Sequence, residues 1–171
     1  MDIINFYLIL YSYHIRKMSP TNKNRISKDE YFMKIAEVVS ERSTCIKRKV
    51  GAVLIKDSHI LSTGYNGSPS GFTHCTPFTC MRQNLKSGEK PELCRGVHAE
   101  INCIIQAAVH GTSIQGNTTL YSTHFPCMSC LKLIINAGIK RLVYKEGYNM
   151  ENKIKEELLN ESNLNVQQLL E

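Results

Sequence analysis

Two short segments, His98-Ala99-Glu100 and Pro126-Cys127-Met128-Ser129-Cys130, constrain the fold more than any other feature of the chain. Each stands at the start of a helical pattern. Ile101, Ile104, Ile105 and Ala108 recur at helical spacing after the first and stop at Gly111. Leu131, Ile134 and Ile135 follow the second, on one face with Cys127 and Cys130, and Gly138 ends that helix. Pro126 suits its opening, where a missing N–H costs nothing. Leu120 to His124 lies between the two and reads as a buried strand; Ile139 to Tyr144 follows as another. Strand and helix therefore alternate, and neighbouring helix starts can set a histidine beside two cysteines.

The rest of the chain fits the same scheme. Ser27 with Glu30 forms a capping box ahead of Phe32, Ile35, Ala36 and Val39, which predicts a first helix. Val50 to Lys56 and His59 to Thr63 are β-rich runs about Asp57 and Ser58, a hairpin. From Gly64 to about Gly96 the chain is dense in Gly, Ser, Pro, Thr and Cys, and a loop of that length in a compact domain is functional or metal-stapled. Lys153 to Asn160 predicts a last helix, and Leu164 to Gln168 a weak last strand. The expected architecture is α/β, a three-layer α/β/α sandwich with a mixed central sheet of about five strands. At 171 residues and 42% hydrophobic, one domain over residues 25–171 is expected. Residues 1–24 are expected to be an extension: Ile3 to Tyr11 is too short an apolar run to span a bilayer and carries no secretory signal, and Met18 offers an alternative start.

The chemistry follows from the donor set. Two cysteines at i and i+3 point the same way and suit a tetrahedral metal, and His98 supplies a third ligand. Three protein ligands leave one position for water. The positive ends of two helices favour the deprotonated thiols, and a zinc ion lowers the pKa of bound water towards about 7. Glu100, two residues beyond the histidine, is placed to carry protons instead of ligating. A purely structural zinc would take a fourth protein ligand and have no use for that carboxylate.

His-x-Glu followed by Pro-Cys-x-x-Cys resembles the signature of the cytidine and deoxycytidylate deaminase superfamily. The resemblance implies a zinc held by His98, Cys127 and Cys130, attack on C4 of cytosine, and Glu100 protonating N3 and then the departing amine. Further stretches resemble the deoxycytidylate branch: Arg42-Ser43-Thr44-Cys45, Val50-Gly51-Ala52, Gly64-Tyr65-Asn66-Gly67, Leu93-Cys94-Arg95-Gly96 and Asn136-Ala137-Gly138-Ile139-Lys140. The likeness covers roughly residues 27–148. It implies deamination of dCMP to dUMP, with Asn66 on a sugar hydroxyl, the Ala99 backbone reading the base and Tyr148 near the nucleotide. It also implies a second, structural zinc on Cys45, Cys75, Cys80 and Cys94, and assembly as a homo-oligomer.

A phosphate calls for fixed cations, and Arg42, Arg82 and Arg95 are the candidates. The formal charge of +6, from 21 Lys and Arg against 15 Asp and Glu, favours anionic ligands. With no tryptophan and no extended basic stretch, a nucleic-acid partner is not expected. Seven cysteines without an export signal suggest a reducing, cytoplasmic setting with no membrane association. Alternative readings are a cytidine, dCTP, riboflavin-pathway or tRNA-editing deaminase using the same chemistry, or a non-catalytic zinc-stabilised module linked to DNA uptake.

Overall fold

The computed structural model describes residues 25–86, 88–147 and 153–170. The extension over residues 1–24, the alternative start at Met18, and Tyr148 lie outside the described residues. Ser27 opens the described fold by capping α1 (Lys28–Ser40). Its hydroxyl accepts the Glu30 N–H at 3.1 Å, and the Glu30 carboxylate accepts the Ser27 N–H at 2.7 Å. That reciprocal pair satisfies amides that no intrahelical carbonyl can reach.

Next come β1 (Gly51–Lys56) and β2 (His59–Tyr65), paired antiparallel as the hairpin the sequence suggests. Asp57 and Ser58 take φ of 49° and 66°, the left-handed conformations that let a two-residue turn match the twist of its strands. The remaining strands and helices are α2 (Ala99–Val109), β3 (Thr118–His124), α3 (Met128–Asn136), β4 (Arg141–Glu146), α4 (Lys153–Glu161) and β5 (Asn165–Gln168). Between β2 and α2 only a short 3₁₀ turn, Pro91–Leu93, interrupts the long loop.

The five strands lie in the order β2-β1-β3-β4-β5. β1 is antiparallel to both its neighbours, while β3, β4 and β5 run parallel. Gly51 to Ile55 are all buried, so β1 is covered on both faces and reads as a continuous apolar run. Alternation along the strands then sorts the core. Ala52, Leu54, Leu120 and Leu142 meet Ala99, Cys103 and Ala107 of α2 and Leu131 and Ile134 of α3. Val53, Ile55, Tyr121 and Val143 meet Phe32, Met33 and Ala36 of α1. These are the two faces of a three-layer α/β/α sandwich, the expected architecture. Each fully buried leucine among them contributes about 1.5–3 kcal/mol.

Gly64 sets how closely α2 can approach. A Cβ there would lie 2.3 Å from both the Ala99 carbonyl oxygen and the Cys103 nitrogen, so only glycine lets the start of α2 rest on β2. The third helix starts later than its sequence suggests. Pro126 stands outside it and Cys127 is its cap, because the chain is still extended at Cys127, with φ −68° and ψ 168°.

Candidate metal centre and active site

His98 caps α2 with φ −74° and ψ 154°, just as Cys127 caps α3, and neither side chain bonds to the helix it begins. Ser, Thr, Asp or Asn at such a position would satisfy an orphan amide and add about 1 kcal/mol. Both helices forgo that bond, which leaves an imidazole and a thiol free to face one another. Val97 is held in place by paired backbone bonds with Gly67, at 2.8 and 3.1 Å, and the Asn102 amide donates to the Tyr65 carbonyl at 2.7 Å. The entry to α2 is thereby locked to the end of β2.

His98 Nδ1 lies 3.3 Å from Cys127 Sγ and 3.2 Å from Cys130 Sγ, and the two sulfurs are 3.5 Å apart. A tetrahedral zinc with bonds of the usual length has ligand-to-ligand edges of about 3.5–3.8 Å, so the triangle needs to open only slightly to accept one. Among the described residues this is the one group of three or more His, Cys, Asp or Glu whose ligand atoms all lie within 4.8 Å of one another. The two sulfurs lie within hydrogen-bonding distance. A hydrogen bond from Cys130 pushes the Cys127 thiol down to about 4, and the same bond pushes the Cys130 thiol up. The Cys127 thiolate in turn raises His98 above the usual imidazole range, against the opposing effect of burial. A divalent cation would displace the thiol and imidazolium protons, so the donor set fits zinc in both geometry and charge.

Glu100 sits in the first turn of α2 and is 4% exposed. Burial raises its carboxyl above the ordinary range, partly offset by its own backbone hydrogen bond and by His98. It does not join the ligand triangle. A buried carboxyl next to an open coordination position is arranged to exchange a proton there. Ala99, fully buried, is the first residue of the helix, where an N–H has no intrahelical partner.

Asn66 does more than the sequence suggests. Its Oδ1 accepts the Val50 N–H at 2.8 Å and the Ser43 hydroxyl at 2.6 Å, and its Nδ2 donates to the Arg48 carbonyl at 2.8 Å. The carboxamide thus organises the 43–50 segment and uses one of its two hydrogens doing so. Ser43 was legible only as part of a family-like stretch, since its partner is 23 residues away. His124 belongs to a relay: Gly51 N–H donates to Thr123 Oγ1 at 3.2 Å, Thr123 Oγ1 lies 3.1 Å from His124 Nδ1, and His124 Nε2 lies 3.0 Å from Glu146. Burial lowers the His124 pKa, so Nδ1 accepts from Thr123 and Nε2 donates to Glu146.

The four remaining loop and flanking cysteines are not assembled. Cys45, Cys75, Cys80 and Cys94 form no cluster of three or more ligand atoms within 4.8 Å, and all seven cysteines are unbridged. Polar contacts tie the loop instead. Lys47 Nζ donates to the Arg82 carbonyl at 2.7 Å and to the Leu85 carbonyl, and Arg82 Nε donates to the Glu89 carbonyl at 2.9 Å. Arg42 and Arg95 are exposed, on the segments leading to Asn66 and His98.

Residues 26–146 match the family described as the cytidine and deoxycytidylate deaminase zinc-binding region. The chain is 39% identical over 132 residues to a deoxycytidylate deaminase of Schizosaccharomyces pombe, covering 76% of this chain but only 40% of that protein. It is 36% identical over 145 residues to ComE operon protein 2 of Bacillus subtilis, covering 85% of this chain and 72% of the relative. A crystal structure of the dCMP deaminase of cyanophage S-TIM5, in complex with dCMP and dUMP, superposes with a TM-score of 0.67 at 34% identity, over 82% of this chain and 95% of that one. Ligand triangle, buried glutamate, sheet order and sequence agree, and the chain belongs to the cytidine and deoxycytidylate deaminase family.

Proposed function

We propose that this protein hydrolyses the 4-amino group of dCMP, giving dUMP and ammonia. The observation that carries the reading is Glu100: a carboxyl 4% exposed, raised by burial, beside three ligands that leave a fourth position open. His98, Cys127 and Cys130 would hold a zinc ion, which would supply a Lewis acid that activates water at neutral pH. As the oxygen of water bonds to C4, Glu100 takes one of its protons and delivers it to N3 of the base; it then moves the remaining hydroxyl proton to the amine, the C4–N bond breaks and ammonia leaves. Burial raises its pKa, which makes it a stronger proton acceptor than an exposed carboxylate. In this reading the orphan amide of Ala99 reads the base. The second Nδ2 hydrogen of Asn66 is offered to the sugar; in dCMP the free hydroxyl there is the 3′ one. Arg42, Arg82 and Arg95 are the cations from which a 5′-phosphate contact is drawn.

The nucleotide reading is supported by the dCMP and dUMP held in the cyanophage structure and by the names of the relatives. The seven unbridged cysteines suit a reducing, cytoplasmic setting. No helix among the described residues is long and apolar enough to cross a membrane. Self-association is part of the proposal, through apolar residues that α2 and α3 leave exposed.

Purified protein given dCMP, CMP, dCTP and deoxycytidine in parallel should release ammonia fastest from dCMP. Equal rates on the nucleoside would remove the phosphate from the recognition scheme.

A further inference from the structure

Ser43 lies outside the ligand triangle, yet its hydroxyl is a junction between two segments that border it. Its single hydrogen is shared between Asn66 Oδ1 at 2.6 Å and the Asn66 backbone carbonyl at 2.8 Å, and its oxygen accepts the Cys45 N–H at 3.2 Å. The Thr44 N–H also reaches the Asn66 carbonyl, at 3.3 Å, and the Asn66 N–H reaches the Val50 carbonyl at 3.2 Å. Both ends of the 43–50 segment are thereby fastened to one residue.

The carboxamide's orientation follows from these partners. Arg48 presents a carbonyl, which only Nδ2 can meet, while Val50 presents an N–H, which only Oδ1 can meet. The Ser43 hydroxyl donates to the second lone pair of Oδ1 and so adds a third anchor to the carboxamide, whose Nδ2 gives one hydrogen to Arg48 and keeps the other for a further acceptor. Gly67, next in the chain, is bonded in both directions to Val97, one residue before the ligand His98. The spare hydrogen is therefore held on a segment fixed relative to the metal site.

We propose that Ser43 is a positioning residue for sugar recognition: its hydroxyl fixes the Asn66 carboxamide so that the free Nδ2 hydrogen meets the 3′-hydroxyl of the nucleotide. This rests on the assignment of Asn66 to the sugar made above. A hydroxyl that aligns a hydrogen-bond donor acts through discrimination and not through chemistry, so its removal weakens recognition of the 3′-hydroxyl while leaving the ligand triangle and Glu100 in place.

The test compares kcat/KM for dCMP with that for 2′,3′-dideoxycytidine 5′-monophosphate in the zinc-loaded wild type and in Ser43→Ala, Ser43→Thr and Asn66→Ala. A neutral hydrogen bond of this kind is worth about five- to tenfold. The expected result is that the preference for dCMP shrinks by about that factor in Ser43→Ala and Asn66→Ala, and that Ser43→Thr, which keeps the hydroxyl, retains it. A loop merely loosened by Ser43→Ala would lower both substrates together and leave their ratio unchanged, which overturns the proposal. If Asn66→Ala loses the preference and Ser43→Ala keeps it, Asn66 reads the sugar without help from Ser43 and the proposal falls alone. If Asn66→Ala also keeps the preference, the sugar assignment of Asn66 falls, and the role of Ser43 with it.

Discussion

A buried thiol and a half-buried one show how strongly residue-scale surroundings decide chemistry. Cys103, in the middle of α2, is pushed up to about 11 by burial among apolar neighbours, so it stays a neutral core side chain. Cys127, also removed from bulk water, is pushed down to about 4 because Cys130 and His98 stabilise its charge. Burial alone thus does not decide the state of a thiol; the partners that meet it do. Glu100 is the complementary case, an acid whose burial favours the neutral form. Replacing it by Gln keeps the volume and the hydrogen-bonding ability and removes only the transferable proton. The expected outcome of Glu100→Gln is about one zinc per chain by metal analysis, as in wild type, with deamination slower by about 10²- to 10⁴-fold. A near-normal rate at unchanged zinc content would take Glu100 out of the reaction.

At the scale of elements, α1 is anchored to the sheet by more than its apolar face. Arg141 of β4 grips Asp29 with both nitrogens, at 2.8 and 2.6 Å, and the Tyr121 hydroxyl of β3 donates to the same carboxylate at 2.7 Å. Asp29 lies in the first turn of α1, where the helix dipole also favours a negative charge. The Arg141 guanidinium is the main reason the Asp29 carboxyl is held below its ordinary value of 3.8. An acid whose pKa is depressed in the folded state stabilises the fold above its unfolded value, and that contribution is lost as pH falls through the folded value. Asp29→Asn should therefore cost about 1 kcal/mol at pH 7, a modest figure because both side chains are partly exposed. In thermal melts the gap between wild type and variant should close as the pH is taken below 3.8. A gap independent of pH would mean that the charge of Asp29 is not what matters.

For the whole molecule, local signals were legible and long-range pairing was not. Ser27 and Glu30 announced α1, Asp57 and Ser58 announced the hairpin, and the His98 and Cys127 segments announced the site, because each acts through residues a few positions away. Nothing local shows that β1 sits between β2 and β3, nor that Ser43 meets Asn66 or that Thr123, His124 and Glu146 line up. These contacts exist only once the sheet has closed. The surface was equally hidden: helical periodicity marked Ile105 as inward, yet it is 46% exposed, and Val109 and Leu133 are 70% and 43% exposed on the same two helices that carry the ligands. Exposed apolar side chains mark an association surface where they form a contiguous patch, and these three are the candidates for one on α2 and α3. If a second copy of the chain covers them, light scattering should give a mass of at least two chains for wild type. Charged replacements at the centre of an apolar interface leave unpaired charges when it forms, so Val109→Lys with Leu133→Lys should yield single chains that still bind zinc. A wild type that scatters as one chain at working concentration would place these residues in solvent and remove self-association from the proposal.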